Sequence, residues 1–121
     1  MAGGTRRKNA WHEVRDGSDY TLSRHWPARF DVSASARFPA LRRGRLARQI
    51  RQDLWREFKH LRGFSPVIHI AATEDGFCVT AGGQFMAKGR VPQGAVSRIE
   101  TLLDDPARRA RWIAWAGEGA A

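Results

Sequence analysis

The segment Val67–Ala81, VIHIAATEDGFCVTA, alternates apolar and polar residues on both sides of Asp75-Gly76. Alternation with period two marks half-buried strands, and Asp-Gly supplies the positive φ values that a two-residue type I′ hairpin loop requires. With Asp75-Gly76 as the loop, Glu74 opposes Phe77, Ala72 opposes Val79 and Ile70 opposes Ala81. Ile68, Ile70, Ala72, Phe77, Val79 and Ala81 then share one face, while His69, Ala71, Thr73, Cys78 and Thr80 share the other. A hairpin with one apolar face needs a second layer to cover it.

The covering layer is legible on both sides of the hairpin. Phe30–Arg37 alternates strictly, with Phe30, Val32, Ala34 and Ala36 on one side and Asp31, Ser33, Ser35 and Arg37 on the other. From Pro39 to Leu61 the pattern is helical, with Gly63 and Pro66 as stop signals. After the hairpin, Gly82 to Gly94 reads as a glycine-punctuated connection with a possible short strand near Gln84–Met86. Ala95, Val96, Ile99, Leu102 and Leu103 follow helical spacing. Asp105-Pro106 then reads as an N-cap and first helical residue opening a last helix. Residues 11–29 carry anchors (Trp11, Val14, Tyr20, Leu22, Trp26) and an Asp16-Gly17 turn signal; whether a strand forms there is left open.

These elements define the expected class as α+β. It is a two-layer sandwich whose small antiparallel or mixed sheet has three or four strands, in the order β-α-β-β-α-α. One face is packed by a long, amphipathic, basic helix and C-terminal helices. The chain has 121 residues, enough for one core. Residues 1–10 read as a disordered basic tail, 11–116 as a single domain and 117–121 as a loose C-terminal tail.

Charge narrows the function. Lys and Arg total 21 against 12 Asp and Glu, a formal net charge of +9, which attracts polyanions. Arginine abundance alone says little, since Arg, Ala and Gly are all favoured by GC-rich, bacterial-type coding; placement says more. From Leu41 to Arg62 there are eight basic residues and two acidic ones. At about 100° per residue, Leu46, Ala47, Ile50, Leu54, Phe58 and Leu61 form one apolar stripe. Arg45, Arg48, Arg51, Arg56, Lys59 and Arg62 gather on the other side with Trp55 among them, while Asp53 and Glu57 fall at the border of the stripe. A face that served solubility alone would interleave the signs, because opposite charges at i,i+4 stabilise a helix.

The reading drawn from this arc is a non-enzymatic nucleic-acid-binding domain of low sequence specificity. Arg45, Arg48, Arg51, Arg56, Lys59 and Arg62 contact DNA or RNA phosphates, and Trp55 either stacks on a base or packs beneath the N-terminal segment. The alternative is a small interaction adaptor or assembly factor, which binds an acidic protein through the same arc or the open sheet face. Lys88 and Arg90 beside Gly89, and Arg108, Arg109 and Arg111, add to the positive field.

Other classes are disfavoured. The four histidines have no metal-ligand spacing, and Cys78 with His69 makes a poor nucleophile–base pair. No cofactor motif is present, so neither an enzyme nor a cofactor is expected. The open sheet face lacks the aromatics of a sheet-face RNA reader. The single cysteine forms no internal disulfide, pointing to a reducing cytoplasm. No apolar run approaches the roughly 20 residues of a membrane span.

Overall fold

The computed structural model describes residues 5–8, 11–85 and 91–117. Along the chain run β1 (Thr5–Lys8), β2 (Trp11–Asp16), β3 (Asp19–Ser23), β4 (Val32–Phe38), α1 (Arg43–Phe58), β5 (Phe64–Thr73), β6 (Gly76–Phe85), α2 (Ala95–Asp104) and α3 (Pro106–Gly117). The strands pair antiparallel in a single sheet of order β1-β2-β3-β5-β6-β4. The α+β class matches expectation. The strand count does not, because three strands precede the one that was expected to come first.

The additional strands were hidden by the chemistry of their inner face. Two rows run across the sheet beneath the helices: Arg15, Tyr20, Ile70, Val79, Ala36, and Glu13, Leu22, Ile68, Ala81, Ala34. β3, β5, β6 and β4 contribute apolar residues to these rows, but β2 contributes Glu13 and Arg15, so its pattern reads as polar. Gly17 adopts a positive φ of 61° between β2 and β3, which closes that hairpin. Residues 5–8, expected as part of a tail, pair with β2. The remainder of the two expected tails, 1–4, 9–10 and 118–121, lies outside the described residues.

The β5–β6 hairpin has the expected faces but a different register. Thr73 opposes Gly76, Ala72 opposes Phe77 and Ile70 opposes Val79, so Glu74-Asp75 form the loop instead of Asp75-Gly76. The shift is two residues, and a shift of two leaves every side chain on its face. Gly76 serves a contact rather than the turn: a Cβ there would collide with the Phe38 carbonyl oxygen of β4. Gly82 behaves likewise against the Val32 carbonyl oxygen. The segment read as a glycine-punctuated connection is therefore strand as far as Phe85, with glycine where β4 approaches β6 closely.

All three helices pack on one face of the sheet. Leu46, Ile50, Leu54 and Phe58 of α1, Ile99, Leu102 and Leu103 of α2, and Trp112 of α3 are fully or almost fully buried. Each contributes on the order of 1.5–3 kcal/mol of hydrophobic stabilisation. Helix α1 is shorter than the Pro39–Leu61 pattern, and residues 59–63 turn away at Gly63, where φ is 73°. Asp105 caps α3 as expected, its carboxylate accepting the Arg108 N–H at 2.9 Å.

The other sheet face carries Ser33, Ser35, Arg37, His69, Thr73, Cys78 and Thr80. Ser35 and Thr80 hydroxyls lie 2.9 Å apart, and the Thr21 hydroxyl lies 2.8 Å from His69 Nδ1. His69 opposes Thr80, two residues from Cys78 on the neighbouring strand, and its ring is engaged by Thr21 rather than by the thiol.

Candidate nucleic-acid interface

Helix α1 lies between α3 on one flank and β2 on the other, and this splits the basic arc. Towards α3, Arg45 stands over the Trp115 ring, 5.6 Å from its centroid, and reaches the Trp115 carbonyl. Arg56 lies 3.5 Å from Asp53, which is buried and also accepts from Arg111 and from the Trp112 indole N–H. Towards β2, Arg48 donates to Glu13 at 3.3 Å, and the same carboxylate oxygen accepts the Tyr20 hydroxyl at 2.6 Å. Burial, then the bond to Glu13, pushes the Tyr20 phenol well above its usual range.

The uniform ridge expected from helical phase is therefore corrected. Arg45, Arg48 and Arg56 have structural partners, because the elements flanking α1 present acceptors and a ring to them. Arg62 lies beyond the end of α1, in the turn. Arg51, Lys59 and Arg62 have no ion pair among the described residues. Trp55 is 46% exposed rather than packed beneath the N-terminal segment, since Tyr20 and Leu22 belong to the core under α1.

Between α1 and the sheet, where β2 begins, lies a cleft of about 430 Å³, lined by Trp11, Arg24, His25, Arg51, Gln52, Trp55 and residues 63–66. It exists because β3 is short. His12 pairs with Ser23 and Ser23 with Val67. Beyond that point β2 still has Trp11 and β5 still has Phe64 to Pro66, but β3 has ended. Pro66, the first β5 position past the last β3 pair, has no N–H to offer a further strand residue.

The cleft is cationic. Arg51 and Arg24 stand over the Trp11 ring, 4.5 and 5.4 Å from its centroid. Burial lowers the Arg51 pKa from its usual value, with the neighbouring Arg48 and Arg24 charges acting in the same direction. Ser65 lies in the β5 wall of the cleft, but its hydroxyl, buried and without a hydrogen-bond partner among the described residues, falls by strand alternation on the sheet face of His69, away from α1. Such an orphaned group costs the free protein stability.

The helical phase flagged Arg51 and Trp55; Trp11, Arg24, His25, Gln52 and Ser65 were missed. Pro66 was the one sequence signal that pointed to the missing strand residues. Lys88 and Arg90 lie outside the described residues. Among the described residues no group of three or more His, Cys, Asp or Glu side chains is placed to hold a metal, and no helix is long and apolar enough to cross a membrane. Compared with protein-family models, curated proteins and solved structures, the chain matches none.

Proposed function

We propose that this chain is a nucleic-acid-binding domain of low sequence specificity that works without catalysis, through the exposed flank of α1 and the turn that follows it. The observation that carries the reading is that Arg51 and Lys59, one turn on either side of the exposed Trp55, and Arg62 in the turn that follows have no carboxylate partner among the described residues. Unpaired guanidinium and ammonium groups supply phosphate contacts, and an exposed indole among them supplies a stacking surface. Arg45, Arg48 and Arg56 shape the field but have structural duties, so the interface is shorter than the sequence suggested and shifts towards the C-terminal end of α1.

The test is oligonucleotide affinity as a function of salt. Log affinity falls linearly with log salt, with a slope near −0.7 per neutralised phosphate on single strands. Three contacts predict a slope of about −2, reduced by roughly one contact in Lys59→Ala. No binding at low salt, or a slope near zero, removes the reading. Capture of an acidic protein in place of oligonucleotide favours the adaptor alternative.

A further inference from the structure

We infer that the cleft between Trp11 and Trp55 takes one nucleotide of a single-stranded polynucleotide. The base lies against the Trp55 indole with its polar edge towards Gln52, and the phosphate sits beside Arg24 and Arg51. The inference rests on the reading of the chain as a nucleic-acid-binding domain and adds to it a strand preference and a base subsite.

Three properties of the cleft converge on this ligand. Its volume of about 430 Å³ falls in the range of small-molecule sites, about 300–1,000 Å³. Its walls combine indole and phenyl surface from Trp55 and Phe64 with two arginines held over Trp11. Neither arginine has a carboxylate partner among the described residues, and Glu13, on the inner face of β2, is committed to Arg48 and Tyr20.

Other ligand classes satisfy part of this set. An apolar ligand leaves Arg51 half-buried beside a surface that cannot solvate it. An inorganic anion leaves the Trp55 face without a partner. A nucleotide meets the ring surface and the cations together. A duplex cannot present a base this way without unpairing it, so the cleft selects single strands even though the flank of α1 attracts both.

The experiment compares a labelled single-stranded octanucleotide with the corresponding duplex, by fluorescence anisotropy on the full chain and on Trp55→Ala. Tryptophan quenching by adenosine monophosphate, inorganic phosphate and phenyl phosphate is read in parallel. Loss of a stacking platform is expected to weaken single-strand binding roughly 5- to 100-fold. Duplex binding stays within about twofold of the unsubstituted chain. The monophosphate quenches and inorganic phosphate does not.

Equal affinity for both polymers, unmoved by Trp55→Ala but still salt-dependent, overturns the cleft and leaves nucleic-acid binding standing. Monophosphate binding without polymer binding supports the cleft and overturns the wider function. Phenyl phosphate binding as tightly as the nucleotide overturns base recognition in favour of a phosphorylated aromatic side chain. Absence of all binding overturns both.

Discussion

The indole N–H of Trp112 donates to the Asp53 carboxylate at 2.7 Å inside the α1–α3 contact. Asp53 is 7% exposed, and Arg111 and Arg56 approach the same carboxylate from the solvent side. One buried acid therefore ties two helices together and sets how α1 is rotated over the sheet, which decides the flank on which Trp55 emerges.

Asp53→Ala leaves a buried indole N–H and its neighbouring cations unpaired. The expected loss is about 2–4 kcal/mol in urea denaturation. A change below about 0.5 kcal/mol, the usual scale for a surface site, shows that the acid does not hold the helices.

Tyr20→Phe removes the hydroxyl that shares Glu13 with Arg48 and costs about 1–2 kcal/mol at neutral pH. The same hydroxyl predicts alkaline sensitivity. The folded state holds the Tyr20 proton to higher pH than the unfolded state does, so its contribution is full below about pH 10 and is lost as pH rises beyond it. The variant should show a flatter decline above pH 10; an unchanged slope contradicts the assignment.

Asp31 titrates in the opposite sense. The Arg29 guanidinium, and then the Phe85 N–H, hold its carboxyl below the usual carboxylate range. Its stabilisation is present above about pH 3.9 and is lost as pH falls through the lower folded value. Carboxyl carbon NMR should place its midpoint below that of a free aspartate, and Arg29→Gln should bring the midpoint back up.

Gly76→Ala and Gly82→Ala each place a methyl against a backbone carbonyl oxygen of β4. Both should destabilise by roughly 1–3 kcal/mol, the usual cost of overpacking. Thermal melts measure this, and a neutral result at either position contradicts the close approach of β4 to β6.

The faces of β5 and β6 were legible because parity survives a register error of two. Ile68, Ile70, Phe77, Val79 and Ala81 are buried whichever of the two loops forms. The loop itself was not legible, since the reason for glycine at position 76 is a carbonyl on another strand. β2 escaped notice because its inward residues include the exposed Arg15 and Glu13, whose burial makes sense only once Tyr20 and Arg48 are seen beside it. For the candidate site, helical phase placed Trp55 and Arg51 on a common side of α1. What phase cannot supply is the identity of the neighbours, and these turned Arg45, Arg48 and Arg56 towards other tasks.

The opening beside Trp11 arises where β3 stops short and β2 and β5 run on, so strand backbone frames it on two sides. A ligand therefore meets a receptor already assembled. Encounter should be governed by diffusion and ionic strength, with a bimolecular rate that rises as salt is diluted and no slow, concentration-independent phase behind it.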